Sequence, residues 1–245
     1  MVITSYDAKF FEDQAEGSLR SALAVVPIVL ELTRASSVVD FGCGIGTWLK
    51  AFLVHGVADV LGLDGPYVDR SRLKVDPSCF RECDLTGPVE LGRTYDLATC
   101  LEVAEHLPTR TSRALVRALA AASPLVLFSA AVPGQGGTAH VNEQWPEFWE
   151  RLFSEAGMSR LDVIRPRIHQ DTSVEWWYRQ NLYLFAADPS RVAADPSTNP
   201  KDLDLISPAI FDGYKSFGGL CLEASRAALR GLRNRAARRN WRRQP

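Results

Sequence analysis

Three glycines at alternate positions, set between an apolar strand and an apolar helix, constrain this chain more than any other feature. The stretch is V-V-D-F-G-C-G-I-G-T-W, Val38 to Trp48. A strand that turns on glycines into a helix brings bare backbone and the helix's free N–H groups to one point. That geometry suits the close approach of a ligand carrying an anionic group. A G-x-G-x-x-G dinucleotide turn starting at Gly42 needs a third small residue where this chain has Thr47, so G-x-G-x-G after Asp40 is the better description. No G-x-x-x-x-G-K-[ST] occurs, which argues against an ATP-dependent P-loop enzyme.

The residues around this turn predict alternating strands and helices. Residues 11–33 have helical apolar spacing, and strands are expected at 37–41, 57–64, 80–85, 95–101 and 124–132. Helices are expected over 47–53, 111–122 and 144–156, and two further strands over 160–165 and 181–186. The glycine-rich segment 133–138 reads as a flexible loop. The fold class is therefore α/β, a Rossmann-like doubly wound, mostly parallel sheet covered on both faces. Three parts are expected: an N-terminal helical segment over 1–36, a central domain over 37–187, and a linker with a helical, basic extension over 188–245.

Two more elements fit a nucleoside-type ligand. Asp64 ends the second strand in L-G-L-D-G, 24 residues after Asp40, where a carboxylate accepts from both ribose hydroxyls. In C-D-L, Asp84 can accept from an adenine amino group and Leu85 can pack on the ring.

Taken in order, V-V-D-F-G-C-G-I-G-T-W, L-G-L-D-G, C-D-L and Y-D-L-A-T-C-L-E-V-A-E-H-L-P resemble the motifs of class I methyltransferases dependent on S-adenosylmethionine (SAM). The resemblance covers roughly residues 37–186. It implies seven strands, the last antiparallel, and a cofactor site lined by Asp40, Gly42, Gly44, Asp64, Asp84 and Leu85. G-S-L-R-S-A, Gly17 to Ala22, is similar to a lid helix that closes over SAM in related enzymes.

Methyl transfer to a hydroxyl needs in-line positioning and a base. His140, after the fifth strand, is the first choice for that base, with His106 and Glu105 of L-E-V-A-E-H as rivals. A helical turn would put Glu102, Glu105 and His106 on one face. The bland alternative makes His106 and Glu105 a structural hydrogen bond and leaves His140 only to orient its loop. E-V-x-E-H with a downstream His also resembles the two-Glu, two-His divalent metal site of small-RNA 2′-O-methyltransferases, here Glu102, Glu105, His106 and His140. The same run is common in relatives taken to need no metal, so the metal is not the favoured reading. G-T-A-H-V-N-E-Q-W-P-E-F-W and E-W-W-Y-R-Q-N-L-Y-L-F look similar to bacterial small-molecule and sugar O-methyltransferases of natural-product pathways. The expected acceptor is thus a hydroxyl on a small molecule such as a sugar or glycosylated metabolite. Trp149 and Phe153, four apart on one helix, are expected to be core.

Charge and cysteines bound the rest. Eight arginines and no acid lie between Arg226 and the end, leaving twenty basic and twenty-nine acidic side chains in the preceding residues. The tail suggests RNA as an alternative substrate, but with only Trp241 for stacking it is better suited to the acidic body of its own or a second copy. Nucleic acid is therefore not the expected partner, and a homodimer is allowed. A non-catalytic SAM-binding partner protein is the alternative outside enzymes. Five cysteines without C-x-x-C spacing argue against a disulfide framework and a zinc ribbon. No signal-like or membrane-length apolar run is found, so a cytoplasmic protein without a membrane partner is expected.

Overall fold

The computed structural model describes residues 8–193. Seven strands form one sheet: β1 (Ser37–Phe41), β2 (Asp59–Asp64), β3 (Phe80–Glu82), β4 (Leu97–Leu101), β5 (Leu125–Ser129), β6 (Ser159–Leu161) and β7 (Tyr183–Ala186). Their spatial order is β3-β2-β1-β4-β5-β7-β6. The first five are mutually parallel, and β7 runs antiparallel to both β5 and β6. This is the doubly wound, mostly parallel sheet that the motif order implies, with the last strand reversed.

The helices are α1 (Ala8–Thr33), α2 (Thr47–Val54), α3 (Ser112–Ala122), α4 (Pro146–Glu155), α5 (Arg165–Ile168) and α6 (Trp176–Asn181). The central strands β4 and β5 are buried at every residue, as V-L-F and L-A-T-C-L runs must be when both faces are covered. One apolar layer joins α1 and α2 to the sheet through Ala22, Val25, Val26, Val29, Leu49 and Phe52. The opposite layer joins α3 and α4 through Leu115, Leu119, Trp149 and Phe153, so Trp149 and Phe153 are core as expected.

Several boundaries differ from the sequence reading. β3 stops at Glu82, because Asp84 turns the chain by accepting from the Thr86 N–H and hydroxyl. The expected strand over 160–165 is only β6, followed by α5, whose Pro166 favours a first helical turn. Asn181 closes α6 instead of opening a strand. Of the proposed extension, residues 188–193 return onto α1, with Val192 buried and the Ala193 N–H donating to the Leu32 carbonyl. The arginine tail lies outside the described residues. No described helix is long and apolar enough to cross a membrane.

Candidate functional site

The strand order reverses between β1 and β4, and in open α/β sheets a crevice forms beyond the strand ends at that point. Two clusters of polar groups lie at this carboxyl edge of the sheet.

The first is built from the turn after β1 and the end of β2. The Gly42 and Cys43 N–H groups both donate to the Leu63 carbonyl, which ties the turn to β2. Asp64 is buried at 4% exposure. Its Oδ2 accepts from the Gly44 N–H at 2.6 Å, and its Oδ1 from the Gly65 N–H at 2.7 Å and the Tyr67 hydroxyl at 2.5 Å. Tyr67 itself is exposed, and burial of its hydroxyl with the Asp64 bond pushes its ionisation well up.

Gly42 and Gly44 do different work. A Cβ at Gly42 would lie 2.4 Å from a Val103 methyl, so this glycine permits packing against the β4 loop. A Cβ at Gly44 would meet nothing within 4 Å, so its backbone borders open space. Of these two glycines, only Gly44 leaves its backbone facing open space.

Asp40, inside β1, is buried and accepts from the Thr99 hydroxyl at 2.6 Å. Burial pushes its carboxyl up to about 7, against the lowering effect of that bond. Asp84 and Leu85 follow β3, joined to the site by the Cys83 N–H donating to the Asp64 carbonyl. Asp84 is exposed, and its Oδ1 serves Thr86, which holds its carboxyl low. Leu85 is buried with Leu63 and Phe41.

The second cluster is built from the loops after β4 and β5. Glu102 leaves β4 in the left-handed region, at φ 55°, held by its N–H donating to the Ser129 carbonyl and hydroxyl. The shared helical face expected for Glu102, Glu105 and His106 therefore does not form. Glu102 accepts from the side-chain amides of Gln135 at 2.9 Å and Asn181 at 3.4 Å. Glu105 sits in a single 3₁₀ turn, Ala104–His106, with no exposure, while His106 is exposed.

The loop carrying His140 crosses this turn. The Val141 and Asn142 N–H groups donate to the Glu105 carbonyl at 2.8 and 3.0 Å. The His106 and His140 rings meet edge to face, with centroids 4.9 Å apart. One ligand-type atom from each of Glu105, His106 and His140 lies within 4.8 Å of the others. Both Glu105 carboxylate oxygens lack a hydrogen-bond partner among the described residues. Burial, and then the neighbouring Glu102, push the Glu105 carboxyl well up. Burial also raises Glu102, and partial burial followed by the nearby His140 lowers His106. A buried carboxylate with no well-formed hydrogen bond is costly as an anion, which favours its protonated form.

The structure thus brings Glu105, His106 and His140, the rival candidates for the base, into one cluster without Glu102. It also adds Gln135, Asn181 and Glu143, which the sequence reading did not single out. His140 Nδ1 is 3.0 Å from Glu143 Oε1. Glu143 alone left a signal, an acid three residues after the histidine. Of the aromatic residues in the two stretches G-T-A-H-V-N-E-Q-W-P-E-F-W and E-W-W-Y-R-Q-N-L-Y-L-F, Trp145 stays exposed, while Trp149 packs on Phe128 and Tyr178 on Trp48.

Comparison with known proteins follows the same lines. A family described as methyltransferase domain matches residues 11–182. Among proteins of curated function, no sequence matches. The sugar N-methyltransferase KedS8 from Streptoalloteichus is similar in structure, with TM-score 0.57 and 18% identity, over 76% of this chain and 98% of that one. CalS10, a SAM-bound amino pentose methyltransferase of calicheamicin biosynthesis from Micromonospora echinaspora, gives 0.54 and 17%, over 77% and 100%. DesVI of Streptomyces venezuelae gives 0.53 and 15%, over 75% and 99%. At such identities the likeness is one of fold. With the family match spanning more than half of the sequence, the chain belongs to the methyltransferase-domain family and has the class I methyltransferase fold.

Proposed function

We propose that this chain is a SAM-dependent O-methyltransferase acting on a hydroxyl of a small molecule, such as a sugar or glycosylated metabolite. The observation that carries the reading is one edge of the sheet holding both an open glycine turn beside a buried Asp64 and a carboxylate–imidazole cluster one strand away. The cofactor is SAM, which supplies a methyl group on a sulfonium. The residues fit it: Gly44 leaves space, α2 begins beside it, and Asp64 can exchange the Tyr67 hydroxyl for ribose hydroxyls. Asp40 supports the turn from beneath, and Asp84 and Leu85 flank the adenine end.

With SAM bound, its sulfonium would supply the methyl group to the acceptor oxygen, and His140 would take that oxygen's proton. His106 and Glu105 complete the cluster. The sugar and amino-sugar methyltransferases of similar fold support an acceptor of that size. A lid role for Gly17–Ala22 draws on the exposed Arg20 side chain, which pairs with Glu175 just before α6, while Ser21 and Ala22 of the same stretch are buried.

The test is His140→Ala against a panel of hydroxyl and amino acceptors, read by product mass and the site of the new methyl. The expected loss in kcat is about 10²–10⁴-fold with cofactor affinity unchanged. Full activity in that variant, or methyl found only on nitrogen, overturns the assignment.

A second reading is favoured by the partnerless Glu105 carboxylate. In it a divalent cation sits between Glu105, His106 and His140, a mixed N/O set that suits Mn²⁺ or Zn²⁺, and orients the acceptor oxygen.

A further inference from the structure

We propose that Glu143 is the positioning residue that fixes the tautomer and direction of His140, making the two a carboxylate–imidazole dyad. This inference rests on His140 being the group that meets the acceptor, and it adds the residue that prepares it. Glu143 Oε1 lies 3.0 Å from His140 Nδ1, with the side chains only 21% and 12% exposed. This is not a solvated surface pair.

The same carboxylate also accepts from two backbone groups, the Gly134 N–H on Oε2 at 2.7 Å and the Gly136 N–H on Oε1 at 3.0 Å. An ionised carboxylate only accepts. The imidazole nitrogen facing it must therefore carry the hydrogen. In a neutral ring that fixes Nδ1–H and leaves the lone pair on Nε2, free to take a proton or to ligate.

The backbone is shaped for this arrangement. Ala139 adopts φ 57°, and the ring lies so close over Gly137 that a Cβ there would fall 2.4 Å from Nε2. The segment is not helical, so the three-residue spacing of the pair comes from this turn. Glu143 also governs the far side of the cluster. The loop it grips through Gly134 and Gly136 carries Gln135, whose amide bonds Glu102 and Asn181. A carboxylate behind the imidazole stabilises the imidazolium formed when the acceptor proton arrives, without itself becoming protonated. The same bond would hold the ring if it ligated a cation.

The decisive measurement is the ¹⁵N spectrum of the His140 ring in the full chain, with the demethylated cofactor product added. The expected result is a protonated Nδ1 and a pyridine-like Nε2. Glu143→Gln places an NH₂ among three donors, so the spectrum should show loss of the single tautomer. Its kcat should fall at least about tenfold, with cofactor affinity unchanged. A wild-type ring protonated on Nε2 overturns the proposal, even if the variant fails to fold. So does a folded Glu143→Gln protein with undiminished kcat. Failure of the underlying reading looks different: His140→Ala keeps full activity whatever the tautomer.

Discussion

Alanine at Gly42 and at Gly44 should separate folding from binding. Both residues have positive φ, 81° and 55°, which costs an alanine about 1–2 kcal/mol. At Gly44 that strain is the whole cost, because the added methyl meets nothing within 4 Å. At Gly42 the methyl falls 2.4 and 2.6 Å from the two Val103 methyls, and such overpacking costs about 1–3 kcal/mol more. Gly42→Ala should therefore lose about 2–5 kcal/mol in urea unfolding, and Val103→Ala in the same chain should recover part of it. Gly44→Ala should lose only about 1–2 kcal/mol yet bind the demethylated cofactor at least about tenfold more weakly, a change of about 1.4 kcal/mol in calorimetry. The reason is that its methyl occupies space the ligand needs. Wild-type affinity in folded Gly44→Ala, or equal destabilisation by the two substitutions, refutes this division of labour.

The cation reading predicts that Mn²⁺ or Zn²⁺ titrated into the metal-free protein binds with one-to-one stoichiometry, and that Glu105→Gln abolishes it; undiminished methyl transfer after exhaustive chelation counts against it. Asp40 predicts a pH dependence. Its carboxyl rises from 3.8 in the unfolded chain to about 7 in the fold, so the unfolded state releases its proton first, and stability falls as pH rises through that window. Asp40→Asn keeps an acceptor for Thr99 and should raise Tm at pH 8 but hardly at pH 4; at about 1.4 kcal/mol per unit, the gain is up to about 4 kcal/mol. A Tm difference between the two proteins that does not change with pH contradicts it.

The sheet was legible because its central strands are apolar at nearly every position and bounded by turns. Ser37–Phe41 and Leu97–Leu101 bury almost all of their residues, a pattern short range in sequence. The edges were less legible. R-L-D-V-I-R, residues 160–165, reads as a strand, but Arg165 is buried beside Asp162 and its side chain bonds the Tyr183 hydroxyl, contacts that belong to the fold and not to local periodicity. Asn181 likewise reads as the start of a strand, while its amide is committed to Glu102 and Gln135.

The polar cluster failed in the sequence reading at one dihedral angle. Placing Glu102, Glu105 and His106 on a common face assumes helical backbone throughout. The Ser129 carbonyl and hydroxyl instead hold Glu102 left-handed, a constraint from a residue 27 positions away. The consequence is electrostatic as well as geometric. Glu102 turns to the neutral amides of Gln135 and Asn181, Glu105 is buried with no well-formed hydrogen bond to its carboxylate among the described residues, and His106 stays exposed at the edge of the cluster. Burial and the neighbouring Glu102 together raise the affinity of the Glu105 carboxyl for a proton. On the proposed reading, the cluster meets the acceptor with Glu105 already protonated, and the His140 imidazole is the group left to take the acceptor's proton. On that reading, the Glu143 bond to His140 Nδ1 sets which nitrogen of the ring does so.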